Sequence, residues 1–364
     1  MSNYYLIIVW ILIFAILSLC VQMERTEVVL GQKVRRMQPV WAVVLFTPLV
    51  IWAMNRGYIG DTYAYMKMFA EIPQGFGNIP SYMGTVTKDK GFYFGSAVIK
   101  AIIGEHVQIY FLIIAIIQAG MLIRVYRKYS YKYVISFFLF IASTDYISWM
   151  FNGIRQFVAV TITFVCFEFI LEKKYAKAII GILIASLFHG SALIVLPFIF
   201  ICQGRAWNKK TILFILGILV VVMYINQFTD ILENVLADTQ YENVVSDWQM
   251  WEDDGTNILR VLVYSVPAIL SLIGLKYIRK ANNPIINLCT NMSIVSAGIY
   301  IVSMFTSGIF IGRLPIYFSL YGYILLPWEI ENMFEEKSAK IVYLAMIVGY
   351  LGFYYVGING VGSV

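Results

Sequence analysis

Four arginines of this chain lie within a few residues of the end of a long apolar run: Arg56, Arg155, Arg260 and Arg313. A charge at membrane depth is costly and usually marks a pathway or a ligand. A guanidinium is planar and binds a phosphate through two parallel hydrogen bonds, which the ammonium group of lysine does not do. Together the four arginines predict a site for a strong polyvalent anion, phosphate or pyrophosphate. The alternative for any single arginine is a side chain that only reaches the lipid headgroups.

Carboxylates lie in the loops that we predict on the outer side, at Asp61, at Asp145 and in segment 227–257, which holds eight acids and no base. Aromatic residues interleave the acids of that segment, at Tyr241, Trp248 and Trp251. Aromatic rings stack on the apolar faces of sugars, and carboxylates accept hydrogen bonds from sugar hydroxyl groups. The pattern allows a sugar-binding cleft. The alternative is an ordinary interfacial belt of Trp and Tyr beside solvated acids.

The composition excludes a soluble enzyme. Of 364 residues, 60% are hydrophobic and 13% are charged, whereas a soluble domain is roughly half apolar and about one quarter charged. We therefore expect residues 1–364 to form a single membrane domain. The four cysteines lie in or at the ends of apolar runs, the chain has two histidines, and no CxxC pair occurs. A metal site is not expected, and no cofactor is implied.

The apolar runs predict an all-α, polytopic membrane protein, because a bilayer core of about 30 Å needs roughly 17 to 25 apolar helical residues. Segment 175–203 is apolar but broken at His189, and both of its flanks are basic. We interpret it as two short helices, which brings the total to about twelve transmembrane helices. The ten other candidate spans are 4–21, 38–55, 106–123, 133–149, 154–171, 211–226, 258–275, 285–303, 309–328 and 340–357.

Loop charge predicts the orientation, since Lys and Arg resist translocation. With segment 25–36 inside, every second loop is basic, and these loops hold 19 of the 27 Lys and Arg residues. Both termini and the acidic loop 227–257 then lie outside. Residues 91–103 carry Lys100 and do not fit as a span, so we expect a re-entrant or interfacial helix within an outer loop, 56–105.

Three segments occur in order along the chain: residues 56–65 (RGYIGDTYAY), 152–159 (NGIRQFVA) and 185–193 (ASLFHGSAL). Arg313 follows them, before Tyr317 and Phe318. The three segments resemble the EpsG family of bacterial polysaccharide polymerases, the Wzy-type enzymes, and Arg313 is similar to the late arginine span of that family. The resemblance covers about residues 50–330. It implies a glycosyltransferase in the bacterial cytoplasmic membrane, with an active site that faces outside and joins undecaprenyl-pyrophosphate-linked oligosaccharide repeat units for capsule or exopolysaccharide.

The resemblance and the charge pattern together assign roles. Pyrophosphate leaves as the sugar carbon becomes cation-like, so fixed cations at the developing negative charge should contribute most to catalysis. We expect Arg155 and Arg313 to bind the pyrophosphate, with Arg260 and Arg56 as further ligands. Residues near Arg155 that could orient it or bind sugar are Asn152 and Gln156; the alternative for both is helix-end capping or hydrogen bonding between helices. Weaker phosphate candidates are Lys90, Lys88 and Lys100.

A base must take the proton of the acceptor hydroxyl. Asp61 is the leading candidate, although an ion pair with Arg56 could instead fix the loop. His189 is the second candidate, and the alternative is a histidine that satisfies the backbone freed by the helix break. Glu242 and its neighbours could also serve. Expected partners are the lipid-linked oligosaccharide, membrane lipid, a flippase and a chain-length regulator; no nucleic acid is expected.

Two other functions would share many of these features. A flippase for lipid-linked oligosaccharides would have many spans and buried arginines, but its charges should be distributed through the membrane depth. A membrane O-acyltransferase could use His189 as its base, but it needs an inward-facing route for the acyl donor. The arginines gather at one predicted face, which favours the polymerase.

Overall fold

The computed structural model describes residues 2–236 and 255–360, and these form helices almost throughout. The structure therefore confirms the predicted helical fold class, and it is consistent with a polytopic membrane protein. Tyr241, Glu242, Trp248 and Trp251, the core of the predicted acidic loop, lie outside the described residues.

The chain divides into two compact units. The first comprises Met1–Leu193 and Lys340–Val364, and the second comprises Ile194–Ala339. Helices of the first unit are α1 (Asn3–Cys20), α2 (Pro39–Met54), α3 (Thr62–Glu71), α4 (Ile79–Thr85), α5 (Lys90–Ile103), α6 (Val107–Tyr129), α7 (Tyr133–Ala142), α8 (Ile154–Val165), α9 (Phe167–Leu171), α10 (Tyr175–Phe188) and α19 (Glu336–Gly360, from Lys340 onward). Helices of the second unit are α11 (Val195–Ile201), α12 (Lys209–Met223), α13 (Ile225–Leu236), α14 (Ile258–Ile273), α15 (Leu275–Ala281), α16 (Pro284–Met304), α17 (Ile316–Ser319) and α18 (Gly322–Met333).

The number of full-length spans is smaller than the sequence suggests. Among the described residues, five helices are long and apolar enough to cross a membrane, or up to eight if each of three bent helix pairs is one span. The count of about twelve is therefore not confirmed. Several apolar runs form shorter helices: α2 has 16 residues, about 24 Å at 1.5 Å per residue. The run at 309–328 is divided among the short helix Ile311–Arg313, α17 and the start of α18.

The break predicted in segment 175–203 is present. Helix α10 ends at Phe188, His189 is extended, and a short 3-10 helix, Gly190–Ile194, leads into α11. Residues 90–103 are indeed helical, as α5. The placement of this helix at an outer membrane surface stays a prediction.

A β-hairpin occupies the first basic loop, which the charge pattern identified but did not recognise as strands. Strands β1 (Glu24–Val29) and β2 (Gln32–Met37) pair antiparallel through a two-residue turn. Both turn residues, Leu30 and Gly31, have positive φ, which is the conformation that two-residue hairpin turns favour. Arg127 of α6 contacts Glu27 at 2.7 Å and thereby attaches the hairpin to the helix.

The first unit is packed around α6 and α8, which contact each other and also contact α2 and α10 respectively. Its apolar interior continues into the short helices: Phe69 of α3 stacks on Tyr110 of α6 with ring centroids 4.3 Å apart. In the second unit, α16 is the central helix, with 94% of its apolar window buried. It packs against α12, α14, α17 and α18.

Candidate active site

Arg155 lies in the first turn of α8, where a change of helix type places it. Residues Tyr146–Asn152 form a π-helical turn that ends at Gly153, and α8 begins at the next residue. Wide turns of this kind are rare and occur often at functional sites. The turn directs the start of α8, and Arg155 with it, towards α3 and the residues before α5.

The Arg155 guanidinium is held on one side and partly exposed on the other. Its Nη1 atom donates to Oδ2 of Asp89 at 2.8 Å. A hydrogen bond joins it to the hydroxyl of Tyr65, and its carbon Cζ lies 5.9 Å from the ring centre of Tyr93. The side chain retains 34% of its exposure. A guanidinium with one fixed edge and one open edge can receive an anion without reorganisation.

Asp89 is the residue of this site that the sequence interpretation missed. Its side chain is only 8% exposed. Burial raises the pKa of the Asp89 carboxyl above its ordinary value, against the opposing effects of the Arg155 charge and of a hydrogen bond from the backbone amide of Gly190. In the sequence, Asp89 stands between two lysines in a polar loop. No pattern there separates it from a solvated acid.

His189 lies at the helix break beside this pair. Its Nδ1 atom and the hydroxyl of Ser191 are 2.7 Å apart, and the ring is half-buried. The following residue, Gly190, provides the amide bonded to Asp89. The break therefore reaches the Arg155 site through backbone as well as through the histidine. The role of His189 as a base stays a prediction.

Asn152 fixes the loop that contains Asp61. Its side-chain oxygen accepts the backbone N–H of Asp61 at 2.8 Å. Gly60 adopts φ +52, and a Cβ atom there would lie 2.4 Å from the Asn152 oxygen, so only glycine fits. The carboxylate of Asp61 belongs to an exposed residue at the start of α3. Its role as a base stays a prediction.

Arg56 contacts backbone and aromatic rings, not Asp61. Its Nη1 atom donates to the carbonyl oxygens of Met150 and Phe151, at 3.1 and 3.2 Å, in the π-helical turn. Its carbon Cζ lies 3.9 Å above the ring of Phe111. Burial lowers the pKa of Arg56 to about 10, so the group stays charged at neutral pH. The ion pair between Arg56 and Asp61 is absent from the described residues. The Nη1 bonds give Arg56 a role in the turn before Arg155. Its Nε and Nη2 atoms are buried and have no hydrogen-bond partner among the described residues, and its role as a phosphate ligand stays a prediction.

The remaining candidates of the first unit have different surroundings. Gln156 is buried in α8, one residue after Arg155, and Lys90 is exposed in the first turn of α5 beside Asp89. Lys100 is fully buried and pairs with Glu105 at 2.6 Å and with the carbonyl of Phe69 at 3.2 Å. Its charge is therefore already compensated. Asp145 is completely buried, although the sequence pattern placed it in an outer loop.

The other two arginines belong to the second unit. Arg260 lies in the first turn of α14, and Arg313 ends the short helix Ile311–Arg313 and is exposed. A Cβ atom on Gly312 would touch the Thr256 hydroxyl. The segments that carry the two arginines therefore meet at one end of this unit. Their roles as pyrophosphate and substrate ligands stay predictions.

Among residues 2–236 and 255–360, no three His, Cys, Asp or Glu side chains are grouped so that they could hold a metal ion. The chemistry that these residues present is a partly exposed guanidinium, Arg155, with a buried carboxylate, a tyrosine and backbone groups arranged around it.

A helical, multi-pass membrane protein with a structured cationic site is the class that this fold and this site define. The sequence model of the EpsG family matches residues 40–361, so the chain belongs to the EpsG family, whose members are Wzy-type, polysaccharide-polymerase-like proteins. No curated protein and no solved structure matches the chain.

Proposed function

We propose that this protein is a glycosyltransferase that polymerises undecaprenyl-pyrophosphate-linked oligosaccharide repeat units at the outer face of the bacterial cytoplasmic membrane. Family membership supports the polymerase class. The observation that carries the proposal is the Arg155 guanidinium, which is fixed by Asp89 at 2.8 Å and is still one third exposed. That arrangement suits a ligand with several negative oxygens.

The reaction would transfer the growing saccharide from its lipid to the next repeat unit. An oxygen of the acceptor sugar forms a bond to the anomeric carbon as the bond from that carbon to pyrophosphate breaks. The electron pair of the broken bond leaves on the pyrophosphate oxygen, and the acceptor proton passes to a base. Arg155 would stabilise the charge that grows on the leaving oxygen. One fixed donor of this kind is worth about 2.7–4 kcal/mol, or roughly 10²–10³ in rate.

The test is polymerisation by purified protein in lipid nanodiscs, supplied with the lipid-pyrophosphate repeat unit of the host polysaccharide. The wild type should produce a ladder of lengthening chains, and Arg155→Ala should reduce the rate about a hundredfold or more. A matched control is Lys67→Ala, because Lys67 is an exposed cation of the same unit with only a surface ion pair to Glu71. Absence of a ladder with the wild type would contradict the proposal.

Two further assays with the same purified protein distinguish a polymerase from a flippase and from an O-acyltransferase. Reconstituted into sealed vesicles, a flippase would move labelled lipid-linked oligosaccharide across the bilayer without lengthening it. An O-acyltransferase would transfer a labelled acyl group to the saccharide. We expect neither result. The proposal extends to cooperation with a flippase that delivers the substrate and a regulator that sets chain length.

Arg313 and Arg260 have their own test, because they lie in the other unit. We expect Arg313→Ala to abolish polymer at unchanged protein level, and Arg260→Ala to weaken substrate use, seen as a raised KM. Normal chain lengths in Arg313→Ala would remove this arginine from the proposed mechanism.

A further inference from the structure

Asp89 has an unusual backbone for an acidic residue at the start of a helix. It is the N-cap of α5, a position at which aspartate normally accepts a hydrogen bond from the first turn of its own helix. Asp89 makes no such bond, and its φ of 49° and ψ of 41° lie in the left-handed region. The chain thus gives up a stabilising cap and accepts strain, a combination that points to function. The carboxylate instead contacts Arg155 of α8.

The helix break at His189 supplies the second contact of this carboxylate. A helix leaves its first backbone amides without partners inside the helix, and Gly190 is the first residue of the 3-10 helix after the break. Its amide donates to Asp89. Helix α5 also approaches α10 closely, because a Cβ atom on Gly91 would lie 3.0 Å from the carbonyl oxygen of Leu187. An unbroken α10 would use the amide at position 190 internally.

We propose that Asp89 is a positioning residue for Arg155, held in place by the helix break, and that it orients the open edge of the guanidinium towards the diphosphate of the lipid-linked substrate. This inference rests on the proposed function. It gives the break in segment 185–193 a structural role. The break leaves the Gly190 amide available to bind Asp89, and Asp89 in turn holds Arg155. Tyr65 holds the same guanidinium from α3.

The titratable groups around Asp89 define what a variant would change. Arg155 faces it from α8, Lys88 and Lys90 flank it on its own segment, and His189 lies beside the bonded amide. Asp89→Asn removes the negative charge and keeps the size and one carboxamide oxygen. That oxygen can accept from Gly190 or from Arg155, and the NH2 group that replaces the other oxygen accepts from neither. The hydrogen bond to Arg155 is therefore weakened or lost.

A double-mutant cycle in the polymerisation assay tests the inference. Asp89→Asn should lower kcat about 10- to 100-fold, in the range of a misplaced catalytic group. In an Arg155→Gln background, the same change should alter the residual rate less than twofold, because a positioning residue acts only through the group that it orients. Asp89→Glu should recover part of the rate. The surface variant Glu71→Gln is the control and should match the wild type.

A second readout does not depend on catalysis. Binding of farnesyl pyrophosphate, a soluble diphosphate lipid, is measured with purified protein by fluorescence competition. The substitution Asp89→Asn should weaken the affinity for farnesyl pyrophosphate about 5- to 10-fold when Arg155 is present. It should not change the affinity measurably when it is added to Arg155→Gln. An undiminished further loss of affinity in the Arg155→Gln background would show that Asp89 acts on the ligand independently of Arg155 and would overturn the inference. Equal affinity in Asp89→Asn and wild type would overturn it as well.

The two proposals fail differently. If wild-type protein binds the diphosphate probe but makes no polymer, the polymerase proposal fails and the positioning role can still be measured by binding. If polymer forms and Asp89→Asn behaves as the wild type in both assays, only the positioning role fails. A lower melting temperature of Asp89→Asn with no loss of rate or affinity would identify a purely structural ion pair and overturn the role.

Discussion

The side-chain oxygen of Asn152 accepts the backbone N–H of Asp61 at 2.8 Å, although 91 positions separate the two residues in the chain. The bond ties the loop after α2 to the π-helical turn that precedes Arg155. The sequence offered Asn152 as a ligand of sugar or of Arg155, with capping as the alternative. In the fold it is an anchor for another segment, so its effect on substrate would pass through the shape of that loop.

Gly60 is the residue that this anchor constrains most. Gly60→Ala should destabilise the loop, because the left-handed backbone costs a residue with a side chain about 1–2 kcal/mol and the new Cβ atom would overlap the Asn152 side chain at 2.4 Å. We expect a lower melting temperature and reduced polymer. Gly57→Ala is the control in the same loop, since a Cβ atom there meets nothing within 4 Å. Equal stability of the two variants would disprove the steric argument.

Arg56 should be necessary for the shape of the π-helical turn. Arg56→Met removes the donor to the carbonyl oxygens of Met150 and Phe151, and a buried carbonyl left without a partner costs about 1–3 kcal/mol. Thermal unfolding in detergent should show that loss. Arg35→Met is the control, because Arg35 is 71% exposed and its surface ion pair is worth little. A variant of Arg56 that unfolds as the wild type but loses diphosphate binding would instead identify a substrate ligand.

The attachment of the hairpin to α6 should weaken at acid pH, although the hydrogen bonds from Arg36 to the Lys128 carbonyl and from Arg127 to the Met37 carbonyl remain. Arg127 and Arg25 hold the pKa of Glu27 below its ordinary value, with the hydrogen bond from Arg127 as the main cause. A lowered folded-state pKa contributes stability that is complete above the unfolded value, about 4.3 for Glu, and is lost as the pH falls through the folded value. The protection factors of amides 24–37, which compare the observed exchange rate with the intrinsic rate at the same pH, should therefore fall below about pH 4. Glu27→Gln should show low protection factors already at pH 7, and wild-type protection factors that do not change with pH would contradict the prediction.

Glu329 should be replaceable without loss of stability. It is completely buried in α18, and neither carboxylate oxygen has a hydrogen-bond partner among the described residues. Replacement of a buried ion pair by apolar residues of similar volume is often neutral or stabilises by about 1–4 kcal/mol, and burial of a polar group without a hydrogen bond costs free energy that an apolar side chain does not. Glu329→Met should thus unfold at the same temperature or higher, as measured by differential scanning fluorimetry. The control Glu335→Gln, on an exposed residue, should be neutral. Marked destabilisation of Glu329→Met would mean that the carboxyl has a partner in the membrane.

The orientation can be read by labelling with a membrane-impermeant maleimide. Cys20 is exposed and the other three cysteines are buried, so Cys20→Ser provides the background. Tyr58→Cys and Ile231→Cys should label in intact cells, because both side chains are exposed and both segments are predicted to lie outside. Lys33→Cys in the hairpin should label only after the cells are opened. Labelling of Lys33→Cys in intact cells would invert the orientation.

The helical class and the residue of greatest interest could be predicted from the sequence, since composition and the ends of apolar runs are local properties. Arg155 was selected because a charge at the end of an apolar run is expensive, and the break at His189 because glycine and polar residues interrupt that run. The span count could not be derived in the same way. Runs such as 309–328 are apolar enough to cross a bilayer, and only packing decides whether they form one helix or several short ones.

What the sequence determined by itself is therefore the chemistry that is available: cations at apolar ends, a broken helix, a membrane protein. The tertiary structure decided which groups meet. Asp89 lies 66 positions from Arg155 and was indistinguishable from a solvated loop acid, because the folded chain alone buries its carboxylate against a guanidinium. For the same reason Lys100, which the sequence could assign to an anion, is already paired with Glu105. Arg56 donates through Nη1 to two backbone carbonyl oxygens, while its Nε and Nη2 atoms have no hydrogen-bond partner among the described residues. The partner of each charged group is set by contacts between residues that lie far apart in the sequence, and a local sequence pattern does not contain that information.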